Sequence, residues 1–233
     1  MPEASSDLSI IVFAFNEAQN VEPVLAELRA WLDANEPGAE ILLVDDGSND
    51  ETAVHASRAL AGCRHEILRH ERNRGIGAAI KTGVAAATRP WITFLPADGQ
   101  IEPAAIGTLR AAAKQHAADV VFSLYADRND GLDRTVLSWG MRALVHAIHG
   151  VRLESDGPYL FRRALFRPEQ LPSDSFFLNL EFPIRVLAAK NRTATVTIRC
   201  RPRRSGVSKS AKARVVLRVA RELLAFRARR LIE

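Results

Sequence analysis

The residues Ile-Leu-Leu-Val-Asp-Asp-Gly-Ser-Asn-Asp, positions 41–50, join a short apolar run to a cluster of carboxylates. Positions 91–100, Trp-Ile-Thr-Phe-Leu-Pro-Ala-Asp-Gly-Gln, repeat this order of an apolar run followed by an acid and a glycine. Such runs are typical of buried strands. Asp and Gly also form turns for local backbone reasons. Because ligands of α/β sheets bind beyond the carboxyl ends of the strands, the two stretches together favour a nucleotide-diphosphate site.

Strands and helices alternate on both sides of these stretches. Apolar spacing predicts strands at 8–15, 40–44, 66–69, 91–95 and 120–124, with helices at 21–32, 51–61, 77–87 and 103–116. After residue 125 it predicts helices at 135–149, 178–189 and 211–231, and strands at 159–161 and 193–199. The βαβα order predicts an α/β fold with a mostly parallel, Rossmann-like sheet and helices on its faces.

Length and composition limit the class of protein. The chain has 233 residues, 47% hydrophobic and 25% charged, which is ordinary for one large globular domain. We predict a single domain with a nucleotide-binding half at about 8–125, an acceptor-binding half at about 126–210, and a terminal helix at 211–233. No apolar run is long enough to cross a bilayer, and no secretory signal is recognisable, which predicts a cytoplasmic protein. Cys63 and Cys200 form neither a disulfide framework nor a metal-spaced set.

Positive charge is concentrated at the carboxyl end. Residues 199–233 carry twelve Lys or Arg and two acids, a charge of +10, so with +5 for the whole chain the other residues carry −5. A basic tail indicates an anionic partner, and a cationic amphipathic helix can lie on the inner face of a membrane. Packing of this helix on the domain is an equal alternative. Nucleic acid is disfavoured, since base-stacking aromatic residues are nearly absent from the tail.

Residues 72–82, Arg-Asn-Arg-Gly-Ile-Gly-Ala-Ala-Ile-Lys-Thr, nearly match two phosphate-binding motifs. Ile80 stands where a dinucleotide fingerprint needs its third glycine and where a phosphate loop needs the glycine before lysine. Neither motif is therefore met. Gly75 and Gly77 still open a helix whose amides, with Lys81 nearby, can bind anions. The alternative is a basic helix start with small residues for close packing.

Asp98 and Gln100 are the candidate metal ligands. They flank Gly99, and their side chains would point the same way if the backbone stays extended. Mg²⁺ or Mn²⁺ takes few protein ligands and is completed by diphosphate oxygens and water. A metal ion there would act as a Lewis acid on a leaving diphosphate.

Taken in order along the chain, these segments resemble the family 2 glycosyltransferases, and most closely the polyprenyl-phosphate branch typified by dolichol-phosphate mannosyltransferases. The matching pieces are 10–17, 44–52, 73–77, 97–100, 156–157 with 161–163, 179–181 and 203–209, together with Arg128, Arg134 and Ser138. The last piece fits the family's Arg-x-x-Gly-x-Ser-Lys, and the resemblance covers about residues 8–210. It implies a GT-A fold and transfer, with inversion, from a nucleotide-diphospho-sugar.

The resemblance also implies residue roles by position. The nucleotide-sugar-binding set would be Phe15, Asn16, Glu17, Asp45, Asp46, Gly75, Lys81 and Asp98. The phosphate-binding set would be Arg128, Arg134, Arg203 and Lys209. Guanidinium groups suit bidentate phosphate contacts, although any one of these cations can equally belong to a solvated basic rim.

One departure from the family concerns the metal. The family motif is usually Asp-x-Asp, and Pro96 stands at the position of the first Asp. Loss of one carboxylate should weaken metal affinity, or shift coordination toward the sugar diphosphate and water. The expected cofactor remains Mg²⁺ or Mn²⁺ on Asp98 and Gln100.

The acceptor decides which catalytic groups are needed. A phosphate monoester is anionic near neutral pH and can attack without a general base. A neutral hydroxyl requires a base, for which Asp156 and Glu181 are the candidates, whereas the catalytic role expected of Asp98 is to hold the metal ion. Both acids can instead be structural partners of nearby arginines.

The favoured reading is an inverting transferase with a polyprenyl-phosphate acceptor, reached at the cytoplasmic face of a membrane. One alternative is a soluble transferase acting on a small-molecule hydroxyl. Another is a non-catalytic nucleotide-sugar-binding protein. A sugar nucleotidyltransferase would want a Gly-rich loop after the first strand, where Phe15-Asn16-Glu17 stands.

Overall fold

The apolar runs of the sequence become seven strands in the computed structural model, for which we describe residues 6–126, 132–202 and 213–230. Side chains are described for all of these except 132–139, 213–218 and 230. The strands are β1 (Leu8–Ala14), β2 (Glu40–Asp45), β3 (His65–Arg69), β4 (Trp91–Pro96), β5 (Val120–Tyr125), β6 (Leu160–Arg162) and β7 (Thr193–Ile198). The helices are α1 (Ala18–Asn35), α2 (Thr52–Leu60), α3 (Ile76–Ala86), α4 (Ala104–Gln115), α5 (Leu132–His149), α6 (Leu178–Ala188) and α7 (Ala213–Arg230).

The strands form one sheet in the order β3-β2-β1-β4-β6-β5-β7. The pairs among β3, β2, β1 and β4 are parallel, as is the pair β5–β7. The short β6 lies antiparallel between β4 and β5. The mostly parallel α/β sheet expected from the sequence is therefore confirmed, with one antiparallel insertion.

Alternate residues of the central strands feed two cores, because successive side chains of a strand point to opposite faces. Ile10 and Val12 of β1 pack with α1, α2 and α4 on one face. Ile11 packs on the other face with α3 and with Phe182 of α6. Helices thus cover both faces, which is why the central strands read as continuous apolar runs.

The terminal helix α7 packs on the domain through its apolar stripe. Val219, Leu223 and Phe226 are at most 5% exposed and join Val145 of α5 and Ile184 of α6 in a third core. Burying such side chains is worth roughly 1.5–3 kcal/mol each. Among the described residues, none of the helices is both long and apolar enough to cross a membrane.

Candidate active site

Strands β2 and β4 lie on either side of β1, and their carboxyl ends are at the same edge of the sheet. In the sheet register Ala14 pairs with Asp45, and Phe13 pairs with Pro96. Both acidic turns therefore begin at the same level of the sheet, and the turn that carries Asp98 starts directly after β4. This is the sheet edge at which α/β proteins bind ligands.

The turn after β1 is hydrogen-bonded to the turn after β2. The Asn16 N–H donates to Ser48 Oγ at 2.9 Å, and Asn49 N–H donates to Asn16 Oδ1 at 2.9 Å. The Glu17 N–H donates to Thr52 Oγ1 at 2.9 Å. Asn16 has φ 54, a left-handed conformation that Asn tolerates better than most residues. The first two sequence motifs therefore form one hydrogen-bonded unit, from which the exposed side of Asn16 faces solvent.

Asp45 is the fully buried acid of this unit, with no exposed surface. Its Oδ1 accepts the Ser48 N–H at 2.9 Å, and its Oδ2 lies 3.3 Å from Arg69 Nε. The hydrogen bond shapes the turn, and the exposed arginine supplies the opposite charge. In this conformation Asp45 is oriented by the protein itself.

Phe15 and Glu17, the other two predicted nucleotide-sugar-binding residues of the turn after β1, are less exposed than Asn16. Glu17 is 9% exposed, and its Oε2 accepts a hydrogen bond from Asn20 Nδ2 at 2.6 Å. Phe15 is half-buried. The turn after β1 therefore offers one exposed amide beside a largely buried carboxylate.

Asp46 joins the turn after β2 to the loop that precedes α3. Its Oδ1 accepts the Arg74 N–H at 2.9 Å, and its Oδ2 accepts the Gly75 N–H at 2.8 Å. The buried His70 imidazole contacts Asp46 Oδ1 through Nδ1 at 2.7 Å and Thr82 Oγ1 through Nε2 at 2.9 Å. Both carboxylate oxygens therefore contact other parts of this chain, and Asp46 clamps the loop.

Gly47 allows this loop to come close. It has φ 76, and a Cβ placed on it would lie 2.3 Å from the Arg72 carbonyl carbon. Any larger residue would collide with backbone and would also be strained in this conformation. Gly47 is thus needed for the close approach of the turn and the loop.

The start of α3 contacts the segment 171–175. A Cβ on Gly77 would lie 2.5 Å from the Ser175 carbonyl oxygen, and the Ala78 N–H donates to the Asp174 carbonyl oxygen at 3.1 Å. The Lys81 ammonium forms an ion pair with the Asp174 carboxylate. The close-packing alternative accounts for the small residues of this helix start. The anion-binding role of Lys81 and Gly75 stays a prediction.

Asp98 and Gln100 lie in a turn, because Gly99 has φ 76. The condition of an extended backbone, under which both side chains would point the same way, is therefore not met. Instead, the Gln100 N–H donates to Asp98 Oδ1 at 3.1 Å. Burial raises the pKa of the Asp98 carboxyl, and the N–H groups of Gln100 and Asp98 partly offset this.

The metal-ligating capacity of this turn rests on few protein groups. Among the described residues, no three His, Cys, Asp or Glu side chains are grouped to hold a metal ion. Asp98 offers a hard carboxylate oxygen whose charged form is destabilised by burial, a cost that a cation would relieve. These residues fit a hard divalent cation that is completed by oxygens from a ligand and water.

The two candidate bases differ in environment. Asp156 is held by Arg142, whose Nη2 donates to both carboxylate oxygens at 2.8 and 2.7 Å. Glu181 has no exposed surface and lies 3.7 Å from Arg229 Nη2 of α7. Burial raises the pKa of Glu181, opposed by the Ser173 backbone and then by the positive charges of Arg185 and Arg229. A group without exposure does not contact an acceptor in this conformation, so Asp156 is the better placed of the two.

The structure describes only part of the predicted phosphate-binding set. Arg128, Arg203 and Lys209 lie outside the described residues, and for Arg134 only the backbone, in α5, is described. Their roles stay predictions.

A cleft of about 520 Å³ lies at the opposite, amino-terminal edge of β4 and β5. Arg162 covers its Trp91 at 4.4 Å from the ring centroid. Arg162 and Arg192 pair with Asp119, and Arg110 pairs with other acids. The arginines that line this cleft are therefore paired within the protein. We keep the candidate active site at the carboxyl edge of the sheet.

Sequence reasoning did not find several residues that contact the predicted site residues, among them His70, Asp174 and Arg142. His70 directly follows β3 at the same edge as the acidic turns, a positional signal that was available. Asp174 and Arg142 reach the site from distant segments, and no local pattern marks them.

The whole arrangement can be compared with known proteins. The chain matches the sequence profile of glycosyl transferase family 2 over residues 9–187. The chain belongs to glycosyl transferase family 2. The resemblance seen in the sequence is thus confirmed, and the profile ends before α7.

Curated relatives belong to the expected branch. The chain is 32% identical over 159 residues to dodecaprenyl-phosphate galacturonate synthase of Rhizobium johnstonii, covering 67% of this chain and 47% of the relative. It is 30% identical over 184 residues to dolichyl-phosphate beta-glucosyltransferase of Drosophila melanogaster, covering 70% of this chain and 56% of the relative. The chain spans about half the length of these curated relatives.

Solved structures of other proteins share the fold. Glucosyl-3-phosphoglycerate synthase of Mycobacterium tuberculosis, crystallised with Mn²⁺, UDP and phosphoglyceric acid, aligns with a TM-score of 0.76 at 21% identity, covering 97% of this chain and 80% of that one. Its complex with Mg²⁺ and UDP gives a TM-score of 0.76 at 20% identity, covering 97% and 81%. At this identity the likeness shows the fold alone, and it confirms the GT-A class.

Proposed function

We propose that this chain transfers a sugar, with inversion, from a nucleotide-diphospho-sugar to a polyprenyl phosphate. The observation that carries the proposal is the juxtaposition of the turns after β1, β2 and β4 at one sheet edge in a family 2 chain. The two relatives support the acceptor, since each is named for a polyprenyl phosphate, dodecaprenyl phosphate in one and dolichyl phosphate in the other.

The donor would lie across the end of β1. Asn16 offers an exposed amide and Glu17 a carboxylate that is 9% exposed for base or ribose hydroxyls, whereas the fully buried Asp45 would act by shaping the turn after β2. Asp46 would act mainly by holding the 70–75 loop, given its contacts with Arg74 and Gly75. Positioning of this kind lowers the entropic cost of bringing donor and acceptor together.

Asp98, with Gln100 beside it, would hold Mg²⁺ or Mn²⁺ against the donor diphosphate. Bound there, the metal ion would supply Lewis-acid stabilisation of the departing diphosphate. Solved relatives of the same fold were crystallised with Mn²⁺ or Mg²⁺ and UDP, which supports a divalent cation. Pro96 leaves the site with one strand-end carboxylate, so affinity should depend on the bound diphosphate.

The acceptor would need no strong base. A polyprenyl phosphate oxygen is already charged near neutral pH and can attack the anomeric carbon directly. Asp156, which is paired with Arg142, would then orient groups near the acceptor and would not remove a proton. Arg128, Arg134, Arg203 and Lys209 would balance the phosphates.

Contact with the inner face of a membrane would use the exposed side of α7. The apolar stripe of this helix is packed on the domain, whereas Arg221, Arg227 and Leu224 are exposed. Such contact would be mainly electrostatic and weakened by salt. Equal sedimentation with neutral and anionic vesicles at low salt would contradict it.

The test of function is release of nucleoside diphosphate with a panel of UDP-, GDP- and TDP-sugars, Mg²⁺ or Mn²⁺, and a short polyprenyl phosphate. We expect release only when the lipid phosphate is present. Release driven by hydroxyl acceptors alone would replace the lipid assignment with the small-molecule alternative. Donor binding by thermal shift, without release under any condition, would indicate a nucleotide-sugar-binding protein.

A further inference from the structure

Helix α7 is hydrogen-bonded to the segment that precedes α6. Ser175 Oγ donates to Glu222 Oε2 at 2.6 Å, and Ser173 Oγ lies 3.5 Å from Glu222 Oε1. The Ser175 hydroxyl also accepts the Phe177 N–H at 3.0 Å, which fixes its orientation. A carboxylate acceptor makes the Ser175 bond stronger than one between neutral groups.

The same segment supports the start of α3 from the other side. The Asp174 carbonyl oxygen accepts the Ala78 N–H, and the Asp174 carboxylate pairs with Lys81 and lies 3.6 Å from Arg74 Nη2. The Ser175 carbonyl oxygen lies at the surface of Gly77. Residues 173–175 are therefore held between α7 and α3.

The loop before α3 is hydrogen-bonded to Asp46, one of the predicted nucleotide-sugar-binding acids. The N–H groups of Arg74 and Gly75 donate to Asp46, which lies beside the buried Asp45. The contacts thus run without interruption from Glu222 in α7, through 173–175 and 74–78, to the turn after β2. Residue 222 lies beyond residues 9–187, which the family profile matches.

The packing of α7 on the domain does not depend on Glu222 alone. Val219, Leu223 and Phe226 are buried in the third core, Arg229 pairs with Glu181, and the helix should therefore stay docked when Glu222 is truncated. Loss of the Glu222 carboxylate would then loosen residues 173–175 specifically. Looser residues 173–175 would widen the range of positions open to Arg74 and Gly75.

We propose that Glu222 is a positioning residue for the donor site, acting through Ser175 and Asp174 on the loop that Asp46 holds. The proposal rests on the proposed function, because it assigns this loop to donor binding. It predicts that a residue outside the family profile affects the nucleotide and leaves the acceptor unaffected.

The experiment compares Glu222→Ala, Glu222→Gln and Glu169→Ala. Glutamine keeps an acceptor oxygen for Ser175, and Glu169 is an exposed glutamate outside α7 and outside residues 173–175. We expect Glu222→Ala to raise the donor KM about 10-fold, from loss of a charge-assisted hydrogen bond, with kcat and acceptor KM unchanged. Glu222→Gln should stay within about 3-fold of the unaltered chain, and Glu169→Ala should not change the donor KM.

Direct binding separates this proposal from the proposed function. The Kd of UDP or GDP with Mg²⁺, from calorimetry, needs no turnover and should rise about 10-fold in Glu222→Ala. An unchanged Kd and donor KM, or a change confined to the acceptor KM, would overturn the positioning role. If the unaltered chain transfers no sugar but binds nucleotide, only the proposed function fails, whereas no nucleotide binding at all overturns both.

Stability is controlled in two ways. Leu109→Ala in α4, a buried core residue remote from this segment, should lower the thermal midpoint without changing the donor Kd. If Glu222→Ala does not fold, Ser175→Ala removes the same hydrogen bond from the other side. A normal donor Kd in Ser175→Ala would contradict the proposal.

Discussion

Two Asp-Gly pairs follow β2 and β4, the two strands that flank β1, and they look alike in sequence. In the first, the Asp46 carboxylate accepts two backbone N–H groups and contacts a buried histidine. In the second, the Asp98 carboxylate accepts the Gln100 N–H, and burial raises the pKa of the carboxyl. The same local pattern thus gives a loop clamp in one turn and a costly buried charge in the other.

The difference assigns the two acids to different tasks. A carboxylate whose oxygens contact backbone N–H groups of its own chain contributes to stability and orientation. A carboxylate whose charged form is disfavoured by burial gains most from a cation or a proton. Asp98 therefore suits a metal ion, and Asp46 suits the support of a loop.

The largest effect is expected from Asp98→Asn. We predict a fall of about 1,000-fold in kcat for sugar transfer, the equivalent of about 4 kcal/mol, because under the proposed function Asp98 holds the metal ion that stabilises the departing diphosphate, and the variant lacks that charge. Nucleoside diphosphate release with Mg²⁺ or Mn²⁺ measures it. A fully active variant would remove the metal role.

The thermal midpoint of Asp98→Asn serves as its control. Because burial raises this pKa, the folded state binds the proton more tightly than the unfolded state, and ionisation of Asp98 costs stability above the unfolded pKa. In EDTA at neutral pH the variant should therefore melt at the same temperature or higher. A clear drop would make Asp98 a structural acid of the same kind as Asp46.

The next effect is expected from Asp46→Asn, and it should appear in stability. We predict a loss of about 3 kcal/mol in the free energy of unfolding, because one of two backbone N–H groups then faces an amide –NH₂ in place of a carboxylate oxygen. Urea unfolding measures it, with Asp98→Asn as the matched strand-end acid. An unchanged unfolding midpoint would show that the clamp is dispensable.

A smaller effect is expected from the close approach at Gly47. Gly47→Ala places a Cβ 2.3 Å from the Arg72 carbonyl carbon, whereas Gly62, with the similar φ of 82, has no atom within 4 Å of such a Cβ. Gly62→Ala should show the cost of the backbone conformation, about 1 kcal/mol, and Gly47→Ala about 2 kcal/mol more. Equal unfolding midpoints for the two variants would contradict the tight contact between turn and loop.

The sequence located the elements of the sheet closely. The strand expected at 8–15 ends at Ala14, where the turn with the left-handed Asn16 begins. The helix expected at 211–231 is observed as Ala213–Arg230. Apolar spacing reports which face of an element is buried, and both core faces of this sheet follow from it.

The pairing of strands and of side chains was harder to predict from the sequence. The three residues of β6 lie antiparallel between β4 and β5, and nothing within so short a segment specifies its partners or direction. Asp98 and Gln100 were placed in the correct turn, but their relative direction depends on φ at Gly99. The ion pair between Lys81 and Asp174 joins residues that are 93 positions apart in the chain.

By itself the sequence determined the α/β class, the family and the strand-end position of the acids, because apolar periodicity and Asp-Gly turns are short-range properties of the chain. Only the tertiary structure decided that the Asp46 carboxylate holds the loop before α3, that burial raises the pKa of Asp98, and that α7 is hydrogen-bonded to Ser175. Those assignments depend on hydrogen bonds and burial between residues far apart in sequence, and these exist only once the sheet and its helices have packed.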